Sequence, residues 1–179
     1  MKKRTVKENV RIKGGLRKIK SGQKNEIYLV LDNIRSMYNV GAMFRSAEGA
    51  RVKKIYLCGI TATPPREKIF KTSMGAVDWV DWEYRENSSS AVQELKKIGV
   101  QIVSLEQTDT SVHYKKAKYK RPIAIVVGHE LKGVSKDVLK LCDLCVEIPM
   151  YGRANSLNVA TSAGIILYEV LEARTLGIE

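Results

Sequence analysis

The sequence has no apolar run long enough to cross a bilayer: its most hydrophobic stretch, Ala163 to Leu171, is too short and carries Glu169. The basic start, Met1-Lys2-Lys3-Arg4, leads into no apolar segment, which argues against a secretory signal. A cytoplasmic protein without a membrane partner is expected. Cysteine and histidine are scarce. Three cysteines make no disulfide framework, and Cys142 and Cys145, though spaced C-x-x-C, lack a second pair or clustered histidines to complete a zinc site. Ordinary buried thiols are expected there, and no metal. Glycine-rich nucleotide loops are missing too. No G-x-G-x-x-G follows the first strand and no Gly-Lys-Ser/Thr ends a P-loop, so a Rossmann dinucleotide site and a Walker site both lack support. No catalytic triad or pair of catalytic carboxylates stands out.

The other shortage is acidic charge. Lys and Arg number 31 against 19 Asp and Glu, a formal net charge of +12. Such an excess favours a polyanionic partner, because each neutralised phosphate releases counterions. A merely soluble basic surface would carry the same charge, so charge alone assigns nothing. The 179 residues suffice for one domain with a sizeable core.

Residues 1–25 are rich in Lys, Arg and Gly without periodic hydrophobicity, and read as a basic arm. From residue 26 the chain alternates strand and helix patterns. Apolar runs predict strands at Ile27–Leu31, Lys54–Cys58, Val77–Trp82, Val100–Leu105, Ile123–Val127 and Cys145–Ile148. Helices are expected over Val40–Glu48, from Asn87 or a following Ser to Ile98, over Ser135–Leu141, and from Ser156 to about Arg174. Pro64-Pro65 opens what reads as a loop running into Lys71-Thr72-Ser73-Met74-Gly75. This rhythm predicts an α/β domain at 26–179, with a mainly parallel sheet and helices on both faces.

In open α/β sheets ligands bind beyond the carboxyl ends of strands. Three such loops carry unusual residues. After Leu31, Asn39 is a reasonable helix N-cap, and Gly41 lies four residues before Arg45 on one helical face. Helical side chains lean towards the N-terminus, so Arg45 is expected to cover a bare turn at Gly41, leaving room for a phosphate or ribose. A solvated arginine over a tolerated glycine reads equally well from this segment alone. After Val127, Gly128-His129-Glu130-Leu131-Lys132-Gly133 allows close ligand approach or forms only a turn. After Ile148, the segment to Val159 combines apolar groups, Gly152 and several amides. Ser156 and Asn158 there fit a helix cap and first turn, and Ala160 and Gly164 leave a smooth patch for a subunit or internal contact.

Together these loops resemble the three motifs of the SpoU/TrmH branch of the SPOUT RNA methyltransferases. Asn39-Val-Gly41-Ala-Met-Phe-Arg45 matches the first, Gly128-His-Glu130-Leu-Lys-Gly133 the second, and Ile148-Pro149-Met150 with Ser156-Leu157-Asn158-Val159-Ala160 the third. Lys71 to Ala76 resembles the family's intermediate loop. Leu131 departs from the glycine that often follows the motif glutamate. The resemblance implies a trefoil-knotted C-terminal region, a homodimer, and methyl transfer from S-adenosylmethionine to a ribose 2′-hydroxyl of RNA, with no metal. It implies cofactor contacts from Leu105, Gly128, Ile148, Met150, Ser156 and Leu157. Arg45 is the implied catalytic residue, supported by Asn39, Glu130, Ser156 and Asn158. Arg45 is read as binding the RNA phosphate and orienting the 2′-oxygen; acting as a base would demand an extreme environment, since arginine normally stays protonated. The compact plan, with no separate N-terminal RNA-binding domain expected, favours tRNA over rRNA. A noncatalytic RNA-binding protein of the same fold is the rival reading.

Overall fold

The computed structural model describes residues 24–173. Eight residues from Asn25 to Asp32 form β1, followed by α1 (Met37–Gly49), β2 (Val52–Cys58) and α2 (Glu67–Ser73). Then come β3 (Trp82–Arg85), α3 (Ser88–Lys97), β4 (Gln101–Leu105), the two-residue β5 (Val112–His113) and β6 (Ile123–Val127). The last elements are α4 (Lys136–Leu139), β7 (Leu144–Glu147) and α5 (Val159–Ala173). The strands make one sheet in the order β3-β2-β1-β6-β4-β7-β5, and every pairing is parallel.

The period of two along the central strands builds the two faces. Ile27, Leu29 and Leu31 of β1 pack with Val40, Met43, Phe44 and Ala47 of α1 and with Ile166, Leu167 and Val170 of α5. The intervening Tyr28 and Val30 point to the other face, against Ala91, Val92 and Leu95 of α3 and Val138 of α4. All five residues of β6 are buried, as a strand covered on both sides requires. Burying a side chain such as Phe44 stabilises the fold by about 1.5–3 kcal/mol. The expected α/β layering with helices on both faces is thus present. The two thiols of the C-x-x-C pair, expected to be buried, are half-buried: burial pushes the Cys142 thiol up to about 12, and Cys145 Sγ accepts a hydrogen bond from Ser104 Oγ at 2.9 Å.

Three expectations are corrected. The segment 67–73, read as loop, is the helix α2, ended by Met74 in the left-handed conformation. The strand expected at Val77–Trp82 is instead a 3-10 turn at Ala76–Asp78, and the strand begins only at Trp82. Val77 and Val80 are apolar because they plug the α1 face of the core, not because they alternate across a sheet. The last helix starts at Val159 rather than Ser156, since Asn158 is its cap: the Asn158 side-chain oxygen accepts from the Ala160 and Thr161 N–H groups at 2.9 and 3.3 Å. The basic arm lies outside the described residues except for Lys24 and Asn25, and Asn25 already belongs to β1.

Candidate active site

The adjacent strands β6, β4 and β7 end on one edge of the sheet, and the segments leaving them enclose a cleft of about 370 Å³. Leu105 and Glu106 line it after β4, Val127 to Gly133 after β6, and Glu147 and Ile148 at the end of β7. Asn155, Ser156 and Leu157 enter from the segment before α5, and Val159 from its first residue. Of the residues singled out from sequence, Leu105, Gly128, Glu130, Ile148, Ser156 and Leu157 therefore converge, whereas Met150 is half-buried and outside the lining. Residues 151–158 are exposed throughout, so this wall faces solvent.

The turn after β6 is built by backbone pairing. His129 and Gly133 exchange two backbone hydrogen bonds, of 3.0 and 2.8 Å. A β-carbon on Gly128 would lie 2.2 Å from the backbone of Gly133 and Val134, so the glycine is demanded by the turn closing on itself. From β4, Glu106 seals the turn's far end by accepting from Val134 N–H at 2.8 Å. Glu106 is a lining residue that sequence reasoning passed over. Its signal was available, because it directly follows the carboxyl end of a buried strand.

Glu130 joins this cleft to α1. Its carboxylate accepts from the Arg35 and Ser36 N–H groups and from the Asn39 side-chain amide, each at 2.9 Å. Burial alone would raise the Glu130 pKa, but these donors outweigh it and hold the carboxyl below its usual range. Asn39 in turn accepts from the Asn158 side-chain amide at 3.1 Å, so one chain of hydrogen bonds runs from Glu130 through Asn39 to the cap of α5. Asn39 is not the cap of α1 as expected. Ser36 is, accepting from Asn39 N–H at 3.4 Å, which leaves the asparagine side chain free for its two cross-links. At the end of β1, buried Asp32 accepts from Ser88 Oγ, Asn33 Nδ2 and Ser135 N–H, anchoring the start of α4.

Arg45 lies one turn and a half beyond Asn39, exposed, in a groove with Ala42, Ser46, Lys71, Thr72, Met74 and Tyr168. Among the described residues no carboxylate comes within ion-pair distance of it. The expected open space over Gly41 is absent. Gly41 is buried, and a β-carbon there would meet Thr72 Oγ1 at 2.1 Å and the Ile69 carbonyl at 2.3 Å. The glycine admits α2 rather than a ligand. Gly164 likewise faces Ser46 of α1, at 3.5 Å for an added β-carbon, which makes the smooth patch on α5 an internal contact at that point.

Comparison with known proteins identifies the family. The SpoU rRNA methylase family matches residues 26–168. The tRNA (guanosine(18)-2′-O)-methyltransferase of Aquifex aeolicus is 34% identical over 89% of this chain and 75% of its own. The Escherichia coli K12 protein of that name is 28% identical, over 83% of this chain and 64% of its own length. In three dimensions the chain is similar to the A. aeolicus TrmH/SpoU tRNA modifying enzyme, with a TM-score of 0.78 and 32% identity over 95% of this chain and 84% of that one. It is also similar to an AdoMet-bound rRNA methyltransferase from Sinorhizobium meliloti, with a TM-score of 0.78 and 31% identity over 86% of this chain and 58% of that one. Several of these relatives are longer, and the chain spans three fifths to three quarters of the length of curated relatives that it matches. With the match extending from β1 into α5, this chain belongs to the SpoU rRNA methylase family.

Proposed function

We propose that this chain transfers a methyl group from S-adenosylmethionine to a ribose 2′-hydroxyl of RNA in the cytoplasm, with tRNA favoured over rRNA. The observation that carries this reading is the Glu130 clamp, which fixes the floor of the cleft against the α1 turn bearing Asn39 and leading to Arg45. The names of the A. aeolicus and E. coli relatives support tRNA as the substrate.

The cleft suits S-adenosylmethionine. Its volume of about 370 Å³ falls in the range of small-molecule sites. Leu105, Ile148 and Leu157 offer apolar walls to an adenine, and the backbone at Gly128 and Ile148 offers polar groups for its edge. Ser156 and the nearby Met150 complete the proposed cofactor-binding set. When bound, S-adenosylmethionine supplies a methyl group already activated on a sulfonium.

The chain's part is then mainly positioning. Arg45 binds the phosphate beside the target ribose and orients the 2′-oxygen. Its exposure leaves the guanidinium open to a phosphate arriving from solvent. Asn39 and Asn158 hold each other at the edge of the neighbouring groove, and Ser156, two residues before Asn158, lines the cleft itself. Glu130, saturated with donors, remains anionic and acts as a brace.

Two further family traits belong to this reading. A trefoil knot in the C-terminal part is supported by the segment before α5 lying against the segment after β4, where Gln107 Nε2 donates to Asn155 O at 2.9 Å. A homodimer is supported by the open groove between α1 and α5, bordered by Ala42, Thr161, Ile165 and Tyr168.

Transfer of radiolabelled methyl from S-adenosylmethionine to bulk tRNA tests the proposal. The product linkage should resist alkali, because a methylated 2′-oxygen cannot attack the neighbouring phosphate. RNA binding without cofactor binding or transfer would overturn it in favour of a noncatalytic RNA-binding protein. Arg45→Ala should lower turnover by about 100-fold or more while sparing cofactor affinity in calorimetry.

A further inference from the structure

We propose that Trp79, Arg51 and Lys24 form a second RNA contact, a stacking platform for an unpaired base flanked by phosphates, on the edge of the sheet opposite the cleft. The inference rests on the reading of RNA as substrate. Trp79, just after the Ala76–Asp78 turn, is 75% exposed, although a tryptophan is ordinarily well buried. It lines a hollow of about 210 Å³ with Lys24, Glu48, Arg51, Val52 and Val80.

The hollow lies where the parallel strands begin: Val52 opens β2 and Lys24 precedes β1. The cleft lies where strands end. Eight residues of β1 at roughly 3.3 Å each separate the two edges by about 25 Å.

The backbone of Arg51 is rigidly set. The residue is left-handed, with φ 54°, its N–H donates to Glu48 O at 2.9 Å, and its carbonyl accepts from Asn25 N–H at 2.8 Å. Among the described residues no carboxylate lies within ion-pair distance of its guanidinium. The Lys24 ammonium is partly neutralised by Asp81 at 2.7 Å, and Glu48 is the acidic residue of the hollow. Beyond Lys24, however, residues 1–23 contain nine Lys and Arg against one Glu. The indole thus shares one hollow with the Arg51 cation and with Lys24, the residue through which a strongly basic sequence enters the fold. A protein partner would need more apolar surface than one ring, since Val52 and Val80 beside it are already buried. An RNA base needs only the ring, and its phosphates need the cations. A span of about 25 Å between platform and cleft selects a folded RNA that reaches both.

The test uses the full chain and transcribed tRNA without cofactor. Trp82→Phe leaves Trp79 as the sole tryptophan; its emission should be quenched as tRNA saturates the protein. Trp79→Ala should weaken tRNA binding about tenfold. It should also raise KM for full-length tRNA and leave KM for a short stem-loop carrying the same target nucleotide unchanged. Unquenched emission, or equal tRNA affinity for Trp79→Ala and the parent, overturns the proposal. If Trp82→Phe does not fold, the Trp79→Ala affinity decides alone. A change in sedimentation of Trp79→Ala would assign the indole to a chain–chain contact and also overturn it. Quenching with weakened binding but no methyl transfer would sink the enzymatic reading and leave the platform standing.

Discussion

A single hydrogen atom at position 41 in place of a methyl group lets two helices touch. Alanine in a helix interior is ordinarily more stable than glycine by about 1 kcal/mol. Here the sign should reverse, because the Ile69 carbonyl and Thr72 Oγ1 occupy the space an added β-carbon needs. Gly41→Ala should destabilise the fold by about 1–3 kcal/mol, read from denaturant unfolding. An unchanged or raised midpoint would mean that α2 slides off α1 at little cost. Glu130 offers a pH test of the same kind. Its folded pKa lies below the ordinary 4.5, so its contribution to stability is fully present above that value. That contribution disappears as pH falls through the lower folded pKa. The stability gap between the parent and Glu130→Gln should therefore be widest near neutrality and shrink in acid below about 4.5; a gap independent of pH would show that the clamp is not ionic.

The elements differ in how openly the sequence announces them. β1, β2, β4 and β6 were legible because apolar residues fill both faces of buried strands, and α1 because its buried side chains recur at helical spacing. α2 was not, since only Ile69 and Ser73 are buried along seven residues, too few to display a period. β5 has two residues and no pattern at all. The start of α5 was misread by three residues because Ser156 and Asn158 are both good capping types, and only the fold decides between them. That decision is measurable. Asn158→Ala should cost about 1 kcal/mol by removing the cap, whereas Ser156→Ala, which removes no cap, should leave unfolding unchanged. Equal costs would mean that α5 is not held by Asn158.

At the scale of the whole molecule, the residue types of the site were visible but their division of labour was not. Motif residues from three loops do converge, yet they occupy a cleft and a neighbouring groove joined through Glu130, Asn39 and Asn158. No spacing in one dimension could separate those two compartments, nor show that Gly41 answers to α2. Charge was legible only as a total. Its placement matters more, because the two regions proposed to contact RNA outside the groove should respond differently to salt. Residues 1–23 bring nine Lys and Arg, so deleting them should weaken tRNA binding and flatten the dependence of log K on log salt by ~0.7–0.9 for each phosphate they neutralise. Trp79→Ala should lower affinity at every salt concentration with little change of slope, since stacking releases no counterions. Filter binding of tRNA across a salt series, with both variants and the parent, separates the effects. If the deletion leaves the slope unchanged, the basic segment neutralises no phosphates, and the excess positive charge of this chain acts through Arg45, Arg51 and their neighbours on the folded domain alone.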